Sequence, residues 1–273
     1  MKVLCHVGHG LYEPWISILR FGQDKTWLAR SLPTQFEVFH SHGIPAPKNL
    51  LAFSEFHDNL RWKKQPVPIL LRAWDSLVTL PLFPYSPKVI ESQDITLRHL
   101  VVKVDLIDVP LLIRWKIRSS LRFALERFDF DYLFMTTTSS YVYPRKLLEI
   151  CEILPRHRYV GGARIYPNAN FAPGSNRLFS RDVVEHFIDD FWAQPASNLE
   201  DVSMSKSLRR MGYSISELPH LPLTSIAEVV ELKKSEAQRH YHFRVKSGPL
   251  SQRGDVETMH ALDRKLQDFG FFE

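Results

Sequence analysis

The chain is poor in cysteine: Cys5 and Cys151 are the only two among 273 residues. Both sit in apolar runs, Val3-Leu4-Cys5 and Ile150-Cys151, which excludes a disulfide framework. Buried free thiols are expected instead, and these fit a reducing compartment. Long apolar runs are missing too, and no stretch approaches the roughly 20 residues needed to cross a bilayer. Met1-Lys2-Val3-Leu4-Cys5-His6 passes straight into a strand-like run without the apolar region of a secretory signal. The expectation is a cytoplasmic protein. Contact with the inner face of a membrane would be peripheral, through surface such as Arg61-Trp62-Lys63-Lys64. RNA-recognition signatures, zinc-finger spacing, a helix-turn-helix, internal repeats and low-complexity segments are also missing.

What is present reads as an ordinary folded protein. Hydrophobic residues make up 44% and charged residues 24%, which argues against disorder. The length suits a single domain over residues 1–273 with a Pro-rich insertion at about 45–95 and a basic, helical tail at about 238–273. A net charge of +5 and a pI near 9.1 are compatible with nucleic acid, an anionic membrane face or phosphorylated substrates, and do not choose among them.

Along the chain, residues 2–7 form an apolar run ending in Gly8-His9-Gly10, the pattern of a buried first strand turning into a loop. A second strand is expected over 35–40, stopping at Ser41-His42-Gly43, and a third over 98–106. The spacing of Leu112, Trp115, Leu121, Ala124 and Leu125 predicts a helix over 110–127. A short apolar strand over 132–135 precedes a helix over 144–154 with Pro at its first turn. Further elements are a strand at 159–166 and helices at 181–192 and 200–211, the last closed by Gly212. Strands alternating with helices imply an α/β sandwich with a largely parallel sheet.

Several segments carry candidate chemistry, each with a structural alternative. Thr136-Thr137-Thr138-Ser139-Ser140 ends the apolar strand at 132–135, where open α/β sheets present ligand groups; the same run also suits a cap and turn. Gly174-Ser175-Asn176 is a ligand-bordering loop or an ordinary turn, and Ser180 is placed to cap the helix at Arg181. Glu200 and Asp201 complement the positive end of a helix, and a carboxylate there also suits a general base. His240, His242, Arg244 and Lys246 share one face if the segment is extended, as a phosphate-binding stripe or a charged edge strand. Carboxylate or thiol partners at metal-ligand spacing are missing around these histidines, so no metal is assigned to them. Trp27, Trp74 and Trp192 suit sugar stacking or the core.

Taken in order, these pieces resemble the Fringe-like β-1,3-galactosyl- and N-acetylglucosaminyltransferase group of the GT-A glycosyltransferases. The correspondence runs through Lys116, the strand at 130–134, Ser140-Tyr141-Val142, Tyr159-Val160-Gly161, the loop at 174–181, and Glu200-Asp201-Val202 with Leu208 and Gly212. It covers about 112–213. The resemblance implies a GT-A, Rossmann-like α/β/α sandwich with a mixed, mostly parallel sheet, and inverting transfer from a nucleotide-sugar donor to a glycan or lipid-linked hydroxyl. Asp201 would be the base, with Glu200 in reserve.

Two departures qualify it. Thr137-Thr138-Ser139 stands where the group carries an acidic triplet for a divalent cation, and hydroxyls are poor ligands for hard cations. Asn176 replaces a glycine, and asparagine tolerates left-handed backbone. No cofactor is therefore expected, a divalent cation being possible but not favoured. The stripe, with Arg253, would supply the replacement charge, and His240 or His242 would take the group's histidine role on the donor phosphates. Donor contacts are expected at Val7, Gly8, His9, Ser41, His42, Lys116, Thr137, Thr138, Ser139, His240, His242, Arg244 and Lys246, and acceptor contacts at Gly174, Ser175 and Asn176. A catalytically silent binding homologue is the alternative. A nucleic-acid-binding protein, suggested by the pI near 9.1 and the basic stripe, is a lesser alternative, and nucleic acid is not expected as a partner.

Overall fold

The computed structural model describes residues 1–47, 87–93, 97–108, 112–162, 172–189, 200–248 and 253–272. The Pro-rich insertion falls largely outside them, as do Trp74, Trp192 and the segment 61–64. Two strands form the centre. β1 (Val3–Gly8) and β5 (Tyr132–Thr137) are buried along almost their whole length. They pair in parallel, as continuous apolar runs covered on both faces do. β2 (Phe36–Ile44) flanks β1 in parallel, and β4 (Leu100–Ile107) flanks β2.

Two strands run against the rest: β3 (Val89–Glu91) at one edge, and β8 (Arg177–Ser180) between β5 and β7 (Val160–Gly162). β9 (Ile215–Glu217) closes the other edge, so the eight-stranded mixed sheet has the order β3-β4-β2-β1-β5-β8-β7-β9. A second sheet joins β6 (Ser140–Val142), β11 (His242–Arg244) and β10 (His220–Pro222). The fold is α/β with a mostly parallel sheet, as expected.

Period-two alternation divides the core. Val3, Cys5, Val7, Tyr132 and Phe134 enter one apolar cluster, whereas Leu4, Leu133 and Met135 enter the other. On the second face pack Trp115, Leu121 and Ala124 of α1 (Ile113–Arg127), Val183 and Val184 of α3 (Arg181–Asp189), and Leu208 of α4 (Glu200–Arg210). On the first face lie Leu147 and Cys151 of α2 (Pro144–Ile153) and Met259, Leu262 and Leu266 of a C-terminal helix (Asp255–Asp268). Gly212 adopts φ +82° after α4, and the Tyr213 N–H reaches back to the Leu208 carbonyl at 3.0 Å, the closure expected of a glycine there.

Several boundaries differ from expectation. β2 continues through Ser41 and His42 because β1 and β4 pair with it on both sides. The hydroxyl run does not lead straight into a helix, since β6 intervenes. The Ser180 hydroxyl accepts from the Tyr159 N–H at 2.9 Å, which ties β8 to β7. Asn176 is not among the described positive-φ residues, which besides glycines comprise Arg158. Trp27 is core. Among the described residues, no helix is long and apolar enough to cross a membrane.

Phe134 sits fully buried at the sheet centre. Phe134→Ala should cost about 3–5 kcal/mol of unfolding free energy in urea titrations. Ile153→Ala, at an exposed position, should change it by about 0.5 kcal/mol at most.

Candidate functional site

Strand order reverses around β1: the chain proceeds outward to β2 and β4 on one side and resumes at β5 on the other. Open α/β sheets place ligands outside the carboxyl ends of strands at such a point. A cavity of about 240 Å³ lies there. It is lined from β1 and its loop by His6, Gly8, His9, Gly10, Tyr12 and Trp15, and from β2 by Ser41. Asp108 and Lys116 form another wall, and Met135, Thr136, Thr137 and Thr138 a further one; Gly174, Arg177, Glu200 and Arg244 complete the enclosure together with Ile113 and Ile117.

Two of its cations are neutralised. The Lys116 ammonium donates to Asp108 at 2.6 Å and to the His9 carbonyl at 3.0 Å, while Asp108 also accepts from the Gly43 N–H at 3.2 Å. This pair ties α1 to the loop after β1 and to the end of β4, with β2 held through Gly43. Arg177 is fully buried and donates from its two terminal nitrogens to both oxygens of Glu200, at 2.7 and 2.8 Å. Its Nε donates to the Ala172 carbonyl at 2.9 Å. Burial works against its charge, but Glu200 outweighs that and raises the guanidinium above its ordinary value.

Arg244 differs. Its guanidinium donates to the Thr137 hydroxyl at 2.7 Å and lies 3.5 Å from Ser140 Oγ, and no carboxylate among the described residues pairs with it. Burial and the neighbouring Arg253 push it down to about 10, so it remains a cation at neutral pH. The antiparallel register of β11 on β6 sets Arg244 opposite Ser140. Beside it, Arg253 donates to Ser139 Oγ and to both oxygens of Asp255, and it lies over the Trp15 ring at 4.9 Å. The hydroxyl turn and the C-terminal basic residues thus meet, although 107 positions separate Thr137 from Arg244.

The Thr137 and Ser139 hydroxyl oxygens already face guanidinium groups, and Glu200 is held by Arg177. Among the described residues, no three His, Cys, Asp or Glu side chains gather as metal ligands.

The expected residues sort as follows. Gly8, His9, Ser41, Lys116, Thr137, Thr138, Gly174, Glu200 and Arg244 line the cavity, whereas Val7 packs in the core. His42 is turned to Ser92 at 2.9 Å. The four-residue stripe does not form, because His240 ends a helical turn, with its ring on the Glu236 carbonyl, before β11 begins. His242 is fully buried with its Nδ1 2.9 Å from that of His220, and Lys246 is exposed away from the lining. Ser175 contributes its carbonyl to the Thr136 hydroxyl at 2.9 Å. Asn176 is buried, accepting from the Tyr241 hydroxyl, and its side chain is not part of the cavity lining. Asp201 is outside the lining; burial raises its pKa, with Arg177 opposing and Glu200 reinforcing the shift. His6, Tyr12, Trp15, Asp108 and the pairing role of Arg177 were not legible, since each depends on tertiary neighbours.

A group of neutral imidazoles gathers at the cavity wall and behind it. Burial, with Lys116 and Arg177 nearby, pushes His6 from 6.5 down to about 3, and burial with His99 and His6 does the same to His40. His9 is driven well below its ordinary value by burial, then by His40, His42 and Lys116. Both ring nitrogens of His40 lack a hydrogen-bond partner among the described residues.

No family model matches the chain, and no curated protein matches it in sequence. Among solved structures it is similar to the mannosyltransferase PcManGT from Pyrobaculum calidifontis, in complex with GDP-Man and Mn2+, at 13% identity and a TM-score of 0.43, over 80% of this chain and 55% of that one. It is similar to the glycosyltransferase GlyE of Streptococcus pneumoniae TIGR4 at 11% identity and 0.46, over 99% and 63%. An active-site mutant of LgtC gives 9% and 0.45, over 96% and 95%. The chain spans 55–63% of the length of the first three of these similar structures, which include TarS of S. aureus. Similarity at this level says nothing of substrate or chemistry.

The histidines set an acid limit. Their folded values lie below the unfolded one, so the unfolded chain binds protons first, and stability that is complete above about pH 6.5 falls as pH drops toward 3. Each should remove about 1.4 kcal/mol per pH unit in that window. Urea midpoints measured between pH 7.5 and 5 should decline, and His40→Phe should make the decline shallower by about one proton; an unchanged slope would reject the assignment.

Proposed function

We propose that this chain is a GT-A glycosyltransferase of the Fringe-like kind, folded as one domain. It transfers a sugar, with inversion, from a nucleotide-sugar donor to a glycan or lipid-linked hydroxyl, in surface polysaccharide, lipopolysaccharide or glycoprotein glycan synthesis. The observation that carries this reading is Arg244: a guanidinium without a carboxylate partner among the described residues, lining the crevice at the switch point and seated on the hydroxyl turn.

Transfer from such a donor releases a nucleoside diphosphate, and negative charge grows on the leaving oxygen as the glycosidic bond breaks. A fixed cation aimed there stabilises the transition state more than the ground state. Arg244 supplies that charge in place of a divalent ion, with Arg253 supporting the same turn. The acceptor hydroxyl, deprotonated by Asp201, attacks the anomeric carbon from the opposite side, and the proton passes to the carboxylate. The raised pKa of Asp201 suits a base, whereas the double pairing of Glu200 to Arg177 suits a positioning role.

Arg244→Gln should weaken UDP or GDP binding, measured by calorimetry, by about tenfold or more. Sugar transfer should persist in excess EDTA; strict dependence on Mn2+ or Mg2+ would reject the metal-free mechanism. Asp201→Asn should lower kcat by at least about 10²-fold. A near-normal Asp201→Asn beside a crippled Glu200→Gln would transfer the base role to Glu200.

A further inference from the structure

The turn that carries Thr137 and Ser139 is held from behind by a residue remote from the crevice. Gln23 lies in a run of short helical turns between β1 and β2 and is fully buried. Its amide nitrogen donates to the Thr137 carbonyl at 3.0 Å and to the Ser140 carbonyl at 2.8 Å. These carbonyls bracket Thr138 and Ser139, so the two N–H bonds of one amide span the turn. Because both partners are acceptors, the donor end of the amide is unambiguous.

The other end is telling. Gln23 Oε1 is buried with no hydrogen-bond partner among the described residues. A half-satisfied buried amide costs stability relative to an apolar side chain of similar volume, so packing alone does not account for glutamine here. The residue is also fixed from below. Thr26 Oγ1 donates to the Gly22 carbonyl at 2.8 Å, and a Cβ at Gly22 would come within 2.8 Å of the Met259 sulfur on the C-terminal helix.

The turn's opposite side meets Arg244 through the Thr137 hydroxyl, Arg253 through the Ser139 hydroxyl, and the Val245 N–H through the Ser139 carbonyl at 3.1 Å. We propose that Gln23 is a positioning residue: it clamps the 137–140 turn so that the Thr137 hydroxyl anchors Arg244 in the orientation that receives the donor diphosphate. The clamp itself is independent of the proposed activity, and its consequence for binding rests on that reading.

The test uses Gln23→Met, which keeps volume and removes both donors, and Gln23→Glu, which keeps shape and sets a carboxylate against two carbonyls. Hydrogen exchange of the peptide covering 137–141 should quicken in either variant while that of β1 stays unchanged; unaltered exchange at the turn overturns the clamp. Binding of inorganic pyrophosphate should weaken by about tenfold in Gln23→Met, and by less than about twofold when the substitution is added to Arg244→Gln. An equal loss in both backgrounds, or a lowered Tm with unchanged affinity, overturns the positioning role. If Arg244→Gln leaves pyrophosphate affinity intact, or the wild type takes up none, while Gln23→Met still loosens the turn, the diphosphate reading fails and the clamp stands. Should Gln23→Met not fold, Gln23→Glu carries the same measurements.

Discussion

A guanidinium partly withdrawn from solvent without a carboxylate partner is held at a cost, and the crevice is organised around one. Arg244 retains its charge although burial and Arg253 both oppose it. What offsets the cost among the described residues is the Thr137 hydroxyl, a weaker partner than a carboxylate, together with the more distant charge of Asp255. Lys116 and Arg177, by contrast, are each matched to an acid. The positive field at the cavity therefore comes mainly from the unmatched residue, and an anion entering there completes a pair the protein leaves open.

That placement depends on long-range architecture. Arg244 reaches the crevice because β11 pairs antiparallel with β6, and β6 follows β5 after a two-residue turn. β5 is in turn fixed between β1 and β8 at the sheet centre. Displacing any of these moves the hydroxyl away from the guanidinium. The matched pairs act as braces around it: Lys116–Asp108 joins α1 to the loop after β1 and to the end of β4, and Arg177–Glu200 joins β8 to α4.

How much could be read from residues alone follows from the range of each interaction. β1, β5 and α1 announce themselves by apolar runs or 3.6-residue spacing, and Gly212 by its place after a helix. Strands of three residues, such as β7, β9 and β10, carry too little periodicity to be recognised at their true bounds. The capping box of Ser225 and Glu228 is a local motif of the kind residue order alone carries. Lys116, Thr137, Glu200 and Arg244 could be singled out by residue type and order. The period-two reading of 240–246 failed because extension was assumed over seven residues, whereas only His242–Arg244 is strand. Asn176, the buried acceptor of the Tyr241 hydroxyl, shows the same limit: its neighbour lies 65 residues away.

The neutral histidines gain a role from this arrangement. An imidazolium beside Lys116, Arg177 and Arg244 would add like charge to a region already carrying one unmatched cation. Keeping His6, His9 and His40 unprotonated by burial confines unmatched positive charge to Arg244 at the cavity wall. The same burial leaves ring nitrogens without hydrogen-bond partners among the described residues, a cost concentrated at the cavity wall and behind it. Stability is thus spent where the electrostatics of the site demand it, and acid attacks the fold and the site through the same residues.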